Sequence, residues 1–153
     1  MEGQGQVSLN DRVAQILDKA EIQDLIHRYT FNVRNRVAAN NAMLFTADAT
    51  FETRDGEVGN PASVSTRSRL VGRDAIIAHI SSGPAMAVSV CPAITNLLID
   101  VDGDRAASSC LMSAVIRPGG QQMHGEYSDS FRVDAGVWRF QSRIYTIFRT
   151  AEL

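Results

Sequence analysis

Apolar positions along the chain follow two periods: a helical one over the first third and an alternation of two over the second half. Val13, Ile16, Leu17 and Ala20 recur at helical spacing, and so do Ile22, Leu25, Ile26, Tyr29 and Val33. Asn10 or Ser8 can cap a helix starting near Asp11 and fading by Asn35 or Arg36. The two stripes are slightly out of phase, which predicts a bend near Lys19. A short second helix is expected over 37–45, then a short strand from Ala49 to Glu52. The stretch from Thr53 to Ser68 is rich in Gly, Pro, Ser and Thr, carries charges but few apolar residues, and reads as a loop with at most a brief strand near Val64. Gly72-Arg73-Asp74 introduces a third helix through Ile76, Ile77 and Ile80, stopped by Gly83-Pro84.

From Met86 the pattern changes. Val88 to Val101, Arg105 to Arg117, Gln122 to Val133 and Val137 to Phe148 read as four long strands. Asp102-Gly103-Asp104, Pro118-Gly119-Gly120 and Asp134-Ala135-Gly136 supply the turns, where Gly and Asp accept the positive φ of tight hairpins. Helices first and an antiparallel meander afterwards give an α+β layout, with helices on one face of a sheet. A curved antiparallel sheet of four to six strands wrapped on one long helix, with two further short helices, forms a cone-shaped barrel around a hollow. Such a hollow suits a small apolar molecule held by a few fixed polar groups.

Composition narrows the partners. The chain has 153 residues, 44% hydrophobic and 21% charged, enough for one packed domain over 9–150 after a short tail at 1–8. A net charge of −2, with no basic run, gives no footprint for nucleic acid. No apolar run reaches the roughly 20 residues of a membrane helix, and Met1 to Gln6 lacks the character of a signal peptide, so a cytoplasmic protein is expected. Cys91 and Cys110 form no CxxC pair and read as free thiols. His27, His79 and His124 show no metal-ligand spacing, and no cofactor motif is present.

Several phrases carry a resemblance. Glu21-Ile22-Gln23-Asp24-Leu25-Ile26-His27-Arg28-Tyr29, Leu44 to Phe51, Gly72-Arg73-Asp74-Ala75-Ile76, Thr95-Asn96 with Ile99 to Ala106, Gly125-Glu126-Tyr127-Ser128-Asp129 and Trp138 to Arg143 follow one another as in SnoaL-like proteins. These belong to the nuclear-transport-factor-two-like, cystatin-like superfamily. The resemblance covers most of the chain and implies the cone fold, a ligand-binding cavity and a homodimer formed through the open sheet face. Relatives include dehydratases, isomerases, cyclases, dehydrochlorinases and the small subunits of ring-hydroxylating dioxygenases. In several catalytic relatives an Asp near the end of the first helix orients a His on the first long strand, and the pair moves a proton. Counting places Arg34 and Pro92 at those positions, so the dyad does not carry over.

Candidate residues each have two readings. Tyr29, on the apolar stripe, is a phenol lining the cavity and polarising a ligand carbonyl, or a core tyrosine. His124 is the only histidine on the late strands and the candidate proton carrier, or a surface histidine. Alternation places it with Glu126 on one face, and Tyr127 with Asp129 on the other. Arg34 clamps an anionic ligand or sits solvated at a helix C-terminus. Cys91 is a nucleophile or a small buried residue. Asn96 fixes a ligand or a strand end, and Tyr127 and Arg143 face inward or serve packing and a surface pair. Trp138, Phe131 and Phe140 read as core. Three functions follow: a cofactor-free lyase, isomerase or cyclase using Tyr29 and His124; a non-catalytic binding module; and a small assembly subunit.

Overall fold

The computed structural model describes residues 7–81 and 89–149. A single helix, α1 (Leu9–Arg34), opens the chain. Ser8 caps it: its hydroxyl accepts from the Asp11 N–H at 3.1 Å, and the Asp11 carboxylate accepts from the Ser8 N–H. Asn35 closes it, its N–H reaching the Phe31 carbonyl. The expected bend near Lys19 is absent, because the two apolar stripes lie on opposite faces of one continuous helix. Nine residues separate Val13 from Ile22, about two and a half turns. Ile22, Leu25, Ile26 and Tyr29 are buried, while Leu9, Val13, Ile16 and Leu17 are exposed. Burying each of the former contributes about 2 kcal/mol.

A 3₁₀ helix (Ala38–Leu44) follows in place of the expected second α-helix, then strands β1 (Phe45–Glu57) and β2 (Asn60–Val71), α2 (Arg73–Ser81), and β3 (Ser89–Asp102), β4 (Arg105–Arg117), β5 (Gln121–Asp134) and β6 (Val137–Arg149). The proposed stop at Gly83-Pro84 and the strand start at Val88 lie outside the described residues. The stretch read as a loop is a long hairpin. β2 is an edge strand, exposed along most of its length, so it shows no apolar alternation, and cross-strand polar pairs hold it: Arg67 on Asp55 at 2.5 Å and Thr66 on Glu52 at 2.8 Å.

The six strands form one open, curved sheet in the order β2-β1-β6-β5-β4-β3. Neighbours are antiparallel except β1 and β6, which run parallel, so the sheet is mixed. α1 lies across its concave face. Ile22, Leu25, Ile26 and Tyr29 pack there on Phe45, Phe51, Phe131, Trp138 and Phe140, with Ile76 of α2 closing one end. A second cluster, Cys110, Met112, Ala114 and Tyr127, continues the interior toward the far end of β4 and β5, and Tyr145 packs against both. No helix among the described residues is long and apolar enough to cross a membrane.

Candidate functional site

Two bulges decide what faces the interior. Along β6, Trp138 and Phe140 point inward, and simple alternation would then bring Ser142 and Ile144 in. The register instead skips Gln141: Phe140 pairs with Phe131 and Ser142 with Ser130. This extra residue resets the parity, so Arg143 and Tyr145 turn inward. Along β3 a second bulge lies between Thr95 and Leu98, with Asn96 at φ 52°. Before it Val90 and Pro92 face in; after it Leu97 and Ile99 do. Asn96 is exposed and shapes the strand, away from the interior.

Arg143 meets Asp129 directly across the β5–β6 ladder. Its Nε donates to Oδ1 at 2.9 Å and its Nη2 to Oδ2 at 2.8 Å, and both side chains are completely buried. The guanidinium is packed on rings: its Cζ lies 3.9 Å from the Tyr127 centroid, 4.2 Å from Tyr29 and 4.5 Å from Phe140. Burial pushes the Asp129 carboxyl up, and Arg143 and the facing Ser108 pull it back only in part. Burial also works against the Arg143 charge, but Asp129 more than offsets it and holds the guanidinium protonated. The pair is neutral as a unit.

Beside this pair lies an apolar cavity of about 160 Å³. α1 contributes Tyr29, Thr30 and Val33, β3 contributes Val90 and Pro92, and the inner strands contribute Met112, Met123, Tyr127 and Tyr145. The chain has three tyrosines, and all three line this space. Tyr29 packs edge-on to Tyr127 at 6.4 Å, and Tyr127 is tilted on Tyr145 at 5.1 Å. Gly125 makes the last contact possible: a Cβ there would meet the Thr146 carbonyl at 2.5 Å and the Tyr145 ring at 2.9 Å. The Thr30 hydroxyl is spent on the Ile26 carbonyl at 3.1 Å. The Tyr145 hydroxyl is buried with no partner. Burial raises all three phenol pKa values; Arg143 opposes the rise at Tyr29 and Tyr127 and Arg67 opposes it at Tyr145, without cancelling it. They keep their protons at neutral pH, so they can donate hydrogen bonds but do not serve as bases.

The remaining sequence candidates lie elsewhere. His124 is exposed on the outer face, opposite the side that carries Tyr127, so it cannot act with Tyr29 on one ligand. Cys91 is half-buried and shares an outer groove of about 200 Å³ with His124, Ser113 and Gln122, away from the cavity that holds the three tyrosines. Arg34 is exposed at the helix end, and the helix positions that reach the cavity are Tyr29, Thr30 and Val33. Pro92 does line the cavity, on the strand where counting placed it. The wider groove of about 480 Å³ between Lys19, Gln23 and the 97–100 stretch is open to solvent and encloses nothing. Sequence reasoning missed Asp129 and Tyr145 as site residues. The signal for Asp129 was its place on the inward face between Tyr127 and Phe131, which demands a buried cation opposite. Among the described residues no group of three His, Cys, Asp or Glu side chains is placed to hold a metal ion.

The SnoaL-like domain family matches residues 14–144. The chain belongs to that family. Solved structures agree on the fold. A nuclear-transport-factor-two-like protein with a cystatin-like fold from Novosphingobium aromaticivorans is 21% identical with a TM-score of 0.77, over 96% of this chain and 94% of that one. The β subunit of a candidate aromatic-ring-hydroxylating dioxygenase from the same organism is 17% identical with a TM-score of 0.74, over 91% and 94%. A candidate scytalone dehydratase, also from that organism, is 17% identical with a TM-score of 0.69, over 91% and 89%. At these identities the likeness concerns the fold of this SnoaL-like domain. No curated protein matches it.

Proposed function

We propose that this SnoaL-like protein binds one small, uncharged, ring-shaped molecule carrying a hydrogen-bond acceptor, and that it does so without acid–base turnover. The observation that carries this reading is the cavity wall: apolar side chains and three protonated phenols, with no histidine or carboxylate among its described lining residues. Size sets the ligand. A dry apolar cavity of about 150 Å³ accommodates benzene, so a space of about 160 Å³ suits a single ring. Charge sets its class, because Asp129 already neutralises Arg143 and a charged ligand would enter an apolar site uncompensated. The Tyr145 hydroxyl supplies the polar anchor, gaining a partner when an acceptor enters.

This places the non-catalytic reading ahead of a lyase or isomerase using Tyr29 and His124, since the sheet separates those two residues. The test is a melting and calorimetry panel of matched single-ring compounds, such as cyclohexanone against methylcyclohexane and acetophenone against ethylbenzene. The ketones are expected to raise the melting temperature and to bind more tightly than their hydrocarbon partners. Solvent deuterium incorporation next to the carbonyl, persisting through repeated purification and abolished in His124→Ala, would overturn the claim of no turnover. Absence of binding across the panel would overturn the claim of a ligand site.

A further inference from the structure

The first half of α1 is exposed on every side. From Leu9 to Leu17 no residue is even half-buried, and burial begins only at Ile22. This segment therefore projects beyond the sheet as an arm of about two and a half turns. Along one side runs a stripe of large apolar side chains: Leu9 is 74% exposed, Val13 47%, Ile16 65% and Leu17 60%. The stripe faces away from the side that packs the core, so no adjustment of the helix on its own sheet could bury it.

We propose that this arm pairs in parallel with the same arm of a second copy of the chain. Spacing points to a helical partner. Leu9, Val13, Ile16 and Ala20 follow the four-three-four rhythm of a coiled-coil seam, with β-branched Val13 and small Ala20 alternating with Leu9 and Ile16, and Leu17 flanking. Charge points to the orientation. Arg12 and Lys19 lie along one edge of the seam, and Asp24 on the other. Antiparallel pairing would bring the basic edges of the two copies together. Parallel pairing sets Lys19 against Asp24 of the partner subunit, five residues on, which is the usual cross-helix ion pair. Asp24 already contacts Arg28 at 2.5 Å, but both are more than half exposed and can share a second cation. Area sets the strength: completely covered, the stripe with Val7 would remove at most roughly 1,000 Å² in total from water over two copies, no more than the lower limit for a specific interface. Pairing is therefore weak and concentration-dependent. A lipid surface fits less well, because Asp11, Arg12, Asp18 and Lys19 balance one another and give no cationic face.

The inference is independent of the ligand cavity. Sedimentation velocity over a roughly hundredfold concentration range is expected to show a reversible monomer–dimer equilibrium. Ile16→Glu should shift it to monomer while leaving helicity and melting temperature unchanged, because the side chain is exposed. Lys19→Asp should weaken pairing at least severalfold, and adding Asp24→Lys to it should restore part of the loss. As a check on direction, Ile16→Cys in a Cys91→Ser background should form an inter-chain disulfide under mild oxidation. A chain that stays monomeric throughout, or binds vesicles through the arm instead, would overturn the proposal. So would a dimer indifferent to Ile16→Glu, which would move the interface to the outer sheet face, where Leu98 and Leu111 are exposed.

Discussion

Replacing Tyr145 by Phe removes one oxygen and nothing else, and the structure assigns that oxygen an unusual position. It is buried and has no hydrogen-bond partner, on a side chain that lines the cavity. An unsatisfied buried polar group costs about 1–3 kcal/mol. A cavity of this size can admit a water that meets part of the need, so the lower end of that range applies. Tyr145→Phe is therefore expected to stabilise the empty protein by about 1 kcal/mol, or roughly 2–4 °C in melting temperature for a chain of this length. With a ligand bound the sign reverses. A ketone that accepts from the phenol loses a bond of about 1 kcal/mol, roughly fivefold in affinity, while its hydrocarbon partner loses nothing. Differential scanning calorimetry gives the first quantity and titration calorimetry the second. Destabilisation by the substitution, or an equal loss of affinity for ketone and hydrocarbon, would refute the reasoning.

Other consequences follow from the same interior. Arg143→Met strands the Asp129 carboxylate among aromatic rings and should cost about 3–5 kcal/mol by urea denaturation, whereas Arg143→Met with Asp129→Leu should recover most of that loss. Gly125→Ala forces a methyl onto the Thr146 carbonyl and the Tyr145 ring; a loss of about 1–3 kcal/mol is expected, with ligand affinity falling alongside. The Cys110 thiol is pushed up to about 11, chiefly by burial and next by the Asp129 charge. At pH 8 only about one Cys110 in a thousand is thiolate, so native protein should titrate one thiol with a disulfide reagent, at Cys91, and two only after unfolding.

Much of this arrangement is written in local periodicity, and the exceptions have identifiable causes. Tyr29 belongs to the helical stripe that also carries Ile22, Leu25 and Ile26, so its burial follows from spacing alone. Alternation on β5 places Tyr127 and Asp129 together and His124 on the other face, which already argues against His124 as a partner of Tyr29. The inward turn of Arg143 and Tyr145 was not legible, because it depends on one skipped residue at Gln141, and a bulge leaves no reliable mark in composition. β2 was hidden for a different reason: an edge strand held by ion pairs has no buried face and therefore no apolar rhythm. In α1, the phase shift between the stripes was visible, but a bend and a change of face leave similar traces in sequence. Two and a half turns between Val13 and Ile22 settle which it is.

The central claim is that the cone holds a ligand-sized hollow bounded by the three tyrosines, and two methionines can report on it. Met112 and Met123 line the cavity, whereas Met43 sits on the surface. Methyl-labelled methionine spectra recorded while titrating acetophenone should show large, saturable ring-current shifts at Met112 and Met123 and none at Met43. Saturable binding that leaves Met112 and Met123 unmoved would contradict the account.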